Sequence, residues 1–176
     1  MERLNLNRSI VRYTGLYDMD GLYALIIGWC KDKGYIWHEE TYKHKVPSPR
    51  GAEQEWGWWI EKEITEYIKF EVHFHPHAWE INEVEIDKGG KKKSLINGKF
   101  EIIIQPIMIL DWQKKWDKNR FTRFLGKRYY ELMRKEIESL YHDMLYYRVW
   151  NLQALIKKFF DMQAKWHTYK TYLKEN

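Results

Sequence analysis

His73, His75 and His77 stand two residues apart, with Glu71 just ahead of them. In an extended strand, residues two apart share a face, so the three imidazoles and the carboxylate would line up. Two histidines at this spacing, with a third ligand from a neighbouring strand, can hold a divalent metal and leave one position open. His38 is the candidate third ligand, and Glu40 and His44 lie in the same stretch. The competing reading is a solvated sheet face that uses histidine among Lys and Glu. No other cofactor is indicated.

A second constellation runs from Trp112 to Arg128. It carries seven basic residues (Lys114, Lys115, Lys118, Arg120, Arg123, Lys127 and Arg128) and one acid. Trp112, Trp116, Phe121 and Phe124 interleave with them. Cations neutralise phosphates and rings stack on bases, so the segment suits nucleic acid. The same pattern can rest on an anionic membrane surface. The plain alternative is an amphipathic strand-to-helix junction with rings inward and charges outward. Lys91, Lys92 and Lys93 can extend the patch.

Nucleophilic and phosphate-binding chemistry have little support. Cys30 falls on the apolar face of a helical stretch, where a thiol is inert packing. Ser9, Ser48, Ser94 and Ser139 sit in no nucleophile-elbow pattern. Gly89-Gly90 reads as a turn, and no phosphate loop or dinucleotide fingerprint occurs. The pairs Glu39/Glu40 and Glu83/Glu85 read as solvated strand carboxylates.

These side chains depend on the elements that carry them. Residues 9–17 read as a strand. Residues 19–33 read as a helix, capped by Asp18 or Asp20 and stopped by Gly34, with Leu22, Leu25, Ile26, Trp29 and Cys30 at helical spacing. Strands are expected at 35–46 and 54–63, separated by the Pro47–Gly51 loop. Strict alternation of Ile68, Phe70, Val72 and Phe74 marks a strand over 66–75, which Pro76 should end or bend. The apolar parity then changes between Trp79/Ile81 and Val84/Ile86, which implies a bulge or break. A turn at 87–93 leads to a strand at 98–110. Ile107–Leu110 there is apolar on both faces, and Pro106 prefers an edge or bulge.

After Asp111 the period becomes helical. Residues 118–164 contain no Pro and only Gly126, and their apolar positions step by three or four. The stripe reads Leu125, Tyr129, Leu132/Met133, Ile137, Leu140, Met144, Tyr147, Leu152, Leu155/Ile156, Phe159 and Met162. Such a run spans roughly 65–70 Å, whereas a domain of this length has a radius of gyration near 16 Å by the usual scaling. A straight helix must overhang, so it either folds back or seeks a partner.

The expected fold is α+β. An antiparallel sheet of four to six strands carries one N-terminal helix, and a long C-terminal helical region packs on it or projects from it. Residues 1–111 and 112–176 form the two parts of one domain. The element order is similar to that of helix-grip ligand-binding folds, in which a curved antiparallel sheet wraps a long C-terminal helix.

Composition narrows the class further. The 176 residues include 10 Trp, 13 Tyr and 7 Phe, with a formal charge of +5. So many rings exclude a disordered chain. With 10 Gly, 4 Pro and one Cys, collagen-like and disulfide scaffolds are excluded too. The longest apolar stretches, Gly21–Cys30 and Ile102–Leu110, fall short of the roughly 20 residues that cross a bilayer. The lone Cys and the absence of an apolar leader run point to a cytoplasmic protein.

The leading expectation is a non-enzymatic binding or assembly protein that associates with itself or another protein. Its contact residues would be Tyr141, Tyr147, Trp150 and Phe159 on the helix and Trp56, Trp58 and Trp59 in the sheet region. Nucleic-acid binding through the 112–128 stripe is the first alternative. A helix-grip-like carrier of small ligands, or a metal-dependent enzyme, is the second.

Overall fold

A computed structural model describes residues 2–48, 51–88, 91–116 and 118–162. The chain runs β1 (Glu2–Asn5), β2 (Ser9–Tyr17), α1 (Met19–Asp32), β3 (Ile36–Ser48), β4 (Gly51–Glu63), β5 (Ile68–Lys88) and β6 (Lys91–Leu110). A C-terminal helical run completes it in three parts: α2 (Arg120–Glu136), a π segment (Ile137–His142) and α3 (Asp143–Phe159). The class is α+β, as the order of periods implied.

All strand pairs are antiparallel, and β3, β4, β5 and β6 are successive neighbours in the sheet. On its far side β6 pairs with β2 from Ile96 to Ile104 and with β1 from Ile107 to Leu110. Pro106 falls between these two partners, where the chain turns from β1 to β2. No ladder N–H is needed there, which is how a proline sits inside a central strand. The turn is held instead by the Leu6 N–H, which donates to the Pro106 carbonyl at 3.0 Å, and by the Gln105 amide, which donates to the Leu6 carbonyl at 2.7 Å.

Pro76 does not end its strand. β5 runs through it to Lys88, and Pro76 pairs with Ile102 of β6. The cost falls on the other side, where the ladder to β4 skips from Glu55/His77 to Trp58/Phe74. The bulge implied by the parity change is present: the β5–β6 register shifts between Trp79 and Asn82, and Glu80 takes φ +56°. Two glycines make room for it. A Cβ at Gly51 would lie 2.8 Å from the Glu80 backbone, and one at Gly98 would lie 3.0 Å from the Trp79 carbonyl. The extra residue exchanges the faces of the strand residues beyond it, so Glu83, across from Ile96, joins the face that carries the helices.

That face holds the core. Phe70, Val72, Phe74, Phe100, Ile102, Ile104 and Met108 are buried on the sheet, and Leu22, Ile26, Trp29 and Cys30 of α1 and Leu145, Val149, Leu152 and Ile156 of α3 are buried against them. The Asp18 side chain caps α1 by accepting the Gly21 N–H at 3.1 Å, and Gly34 ends the helix at φ +70°. At the other end of the core, Phe160 stacks on Tyr13 with centroids 4.5 Å apart. Ile107–Leu110 is buried on both faces. Arg3 and Lys69 are the cross-strand neighbours of Ile109, so their aliphatic stems flank it.

Candidate functional site

The C-terminal run Arg120–Phe159 is about 60 Å long, and its two halves differ. Asn119 and Thr122 form a reciprocal capping box that starts α2. α2 buries no residue fully, whereas α3 buries four. The sheet side of α2 is an aromatic cluster: Trp116 stacks on Tyr129 at 5.6 Å, and Tyr67 meets Tyr129 edge-on at 5.2 Å. Tyr130, Met133 and Ile137 complete that side.

The π segment keeps the two halves in phase. From Ile137 to Leu145 is eight residues, which in a pure α-helix turns roughly 80° past two full turns. Both side chains are nevertheless buried. A π turn winds in one additional residue and returns Leu145 to the face of Ile137. The outward face is rephased by the same device.

The outward face is apolar. Phe121 is 70% exposed, Leu132 81%, Leu140 48% and Tyr147 62%, and Phe124, Leu125 and Trp150 are exposed beside them. Leu125, Leu132, Leu140 and Tyr147 are separated by seven, eight and seven residues. The single stripe of the sequence therefore divides into two. Ile137, Leu152 and Ile156 face the sheet; Leu125, Leu132, Leu140 and Tyr147 face away. Steps of three or four do not separate two such faces. The repeat of seven, with one extra residue at the π turn, is the signal that does.

Of the helix residues singled out for contact, Tyr147 and Trp150 lie on the exposed side, clustered with Tyr146, whose ring is 4.8 Å from that of Trp150. Tyr141 is half-buried and lines a hollow with Tyr67 and Ile137, and Phe159 packs against the core. The sheet tryptophans divide by strand alternation. Trp58 is buried among Tyr23 and Trp37, and Trp56 is half-buried next to it. Trp59 lies on the opposite face, stacked on His38 at 3.9 Å and on His73 at 6.1 Å.

The basic stripe is spread over several environments. Lys114 and Lys118 are exposed ahead of α2, and Lys115 is held 2.7 Å from Glu66. Arg120 is exposed, Arg123 and Lys127 line a hollow with Tyr130, and Arg128 lies over Phe124 and 3.0 Å from Glu131. The backbones of Lys91 and Lys92 lie opposite Lys88 and Asp87 in the β5–β6 hairpin, and the Lys93 ammonium is ion-paired with Asp18.

The histidines are held apart by the strand. His73 lies 3.4 Å from Glu71, His75 is exposed, and His77 lies 2.8 Å from Glu53. His38 lies 3.4 Å from Glu61. Among the described residues, the group with metal-ligand proximity is Glu53, Glu55 and His77, within 4.8 Å of one another. The Lys45 ammonium already donates to both of those carboxylates, at 2.7 and 2.8 Å. Glu71 is buried at the centre of the same sheet face, ion-paired to Arg3 and near Lys69. Burial alone would raise its pKa, but the His73 contact and the charges of Arg3 and Lys69 outweigh that and hold it below the ordinary carboxylate value. Burial pushes the Cys30 thiol up to about 12, which removes it as a nucleophile at neutral pH.

No family model, curated protein or solved structure matches the chain. Among the described residues, no helix is long and apolar enough to cross a membrane.

Proposed function

We propose that this is a non-enzymatic assembly protein that pairs with a second copy of itself through the outward face of its C-terminal helix. The observation that carries the reading is the exposed stripe Leu125, Leu132, Leu140 and Tyr147. Its spacing is symmetric about residue 136. Two antiparallel copies crossing there set Leu132 against Leu140 and Leu125 against Tyr147, each pair twice. That reciprocity is what a two-fold, isologous interface requires. Charge supports the same direction. Arg128 and Lys135 lie on one side of the midpoint and Glu138 and Asp143 on the other. An antiparallel pair sets opposite charges together, whereas a parallel pair sets like charges together.

Sedimentation velocity over a concentration series tests this. Dimers are expected, and Leu132→Glu with Leu140→Glu should give monomers with an unchanged circular dichroism spectrum. Arg128→Asp and Asp143→Arg should each weaken pairing and together restore it. A parent protein that stays monomeric at high concentration sinks the proposal.

One observation favours a second reading, in which the same face binds single-stranded nucleic acid. Phe121 and Phe124 are exposed next to Arg120 and Arg128, a combination suited to stacking and phosphate neutralisation. Retardation of an oligonucleotide that fades steeply with salt would support it. No retardation at low salt rejects it.

A further inference from the structure

A cavity of about 690 Å³ opens on the helix-bearing side of the sheet, between the start of α1, strands β3 and β4, and the β5–β6 hairpin. We propose that it is a binding site for an organic cation, a protonated or quaternary amine carried on an aromatic or alkyl body. This site is separate from the pairing face on the C-terminal helix, and neither depends on the other.

The inner wall is aromatic. Tyr23, Trp56 and Trp58 line it, with Trp58 only 3% exposed. The rings brace one another: Tyr23 meets Trp58 at 5.3 Å, Trp56 meets Trp58 at 6.2 Å, and Trp37 backs Trp58 at 5.3 Å. Tyr42, 60% exposed, extends the wall outward from Trp56 at 5.9 Å. Faces of indole and phenol rings attract cations, and walls of several rings select ammonium head groups over neutral ones.

The rim is acidic. Asp20, Glu39, Glu40 and Glu83 line it, and no Lys or Arg is among the described lining residues. This stands against a chain with a net charge of +5. Lys93, next to the lining residue Ser94, is engaged by Asp18. Glu39 is oriented by its neighbours: it accepts from the Tyr23 hydroxyl, and from the Trp37 indole at 3.2 Å. Glu83 reaches the rim because the β5 bulge exchanged its face. The cavity's size falls within the roughly 300–1,000 Å³ of small-molecule sites. An aromatic floor without a cationic counterpart, ringed by carboxylates, is unsuited to an anion; a neutral ligand could meet the carboxylates only through hydroxyl or N–H donors, without the charge attraction that rings and acids together give a cation.

Isothermal titration calorimetry of the full chain tests the site. The probe is benzyltrimethylammonium, and the control is its uncharged counterpart with carbon in place of nitrogen. The cation should bind saturably, one per chain, and at least roughly tenfold more tightly than the control. Trp56→Leu should weaken it by a similar factor. The exposed pair Glu40→Gln with Glu83→Gln should weaken it without touching the core, so a folding defect in the Trp56 variant leaves a readout. Equal binding of the uncharged control overturns the proposal, as does indifference to the glutamine pair or no saturable binding of the cation.

Discussion

The indole of Trp29 on α1 donates a 2.9 Å hydrogen bond to the side-chain oxygen of Asn151 on α3, joining positions 122 residues apart. Trp29 is buried and stacks on Tyr35 at 5.8 Å. Arg148, one turn before Asn151, approaches the Tyr35 hydroxyl at 3.5 Å and lies over the Phe70 ring. The polar edge of one helix thereby locks the register of the other, which apolar contact alone leaves free to slide.

Asn151→Ala removes the acceptor and leaves a largely buried indole N–H. The expected loss is about 1 kcal/mol, or a fall in melting temperature of roughly 2–4 °C for a chain of this size. Thermal denaturation followed by circular dichroism measures it. An unchanged midpoint would mean that water replaces the amide without cost.

The two faces of the C-terminal helix should respond oppositely to truncation. Ile156 is 0% exposed, and Ile156→Ala should cost about 2–5 kcal/mol. Leu132 is 81% exposed, and Leu132→Ala should stay within about 0.5 kcal/mol in dilute solution. Urea unfolding at low protein concentration compares them, and a large effect at Leu132 there would contradict the assignment of its face.

Glu71 should give the stability an acid-side dependence. Its folded pKa lies below the ordinary value of 4.5, so its contribution is fully present above that pH and is lost as pH falls through the lower folded value. Glu71→Gln should flatten this part of the stability–pH curve. Denaturant titrations across the acid range read it. Identical slopes for parent and variant would show that Arg3 and His73 do not stabilise the ionised carboxylate.

Gly126 marks the closest approach of α2 to the segment before it. A Cβ at this position would lie 2.9 Å from the Trp116 Cβ, which is near the backbone and cannot swing away. In an open helix Gly→Ala gains about 1 kcal/mol. Here Gly126→Ala should instead destabilise the protein and alter the near-ultraviolet signal of the Trp116–Tyr129 stack. A raised melting temperature would refute that.

Local patterns in the chain determined a good deal by themselves. Alternation at Ile68–Phe74, the Asp18 cap with the Gly34 stop, the parity change after Trp79 and the change of period beyond Asp111 depend on neighbours a few residues apart, so the α+β class and the long helix were legible without coordinates. Other outcomes rest on partners distant in sequence. Pro106 is tolerated only because β1 and β2 part opposite it. Pro76 continues its strand because β6 supplies an unbroken ladder on one side. The face of Leu132 is decided by how the helix lies on the sheet and by the π turn, since a step of three or four serves either side. His73 and His77 share a face, yet strand rise separates them, and each is claimed by a glutamate, His73 by Glu71 on its own strand and His77 by Glu53 across the ladder. The cavity is the clearest case: Tyr23, Trp56 and Glu83 come from three elements, and only sheet pairing plus one bulged residue bring them to a common wall. Periodicity is a local property of the chain, whereas convergence is set by register, and register is fixed only when the whole sheet closes over its helices.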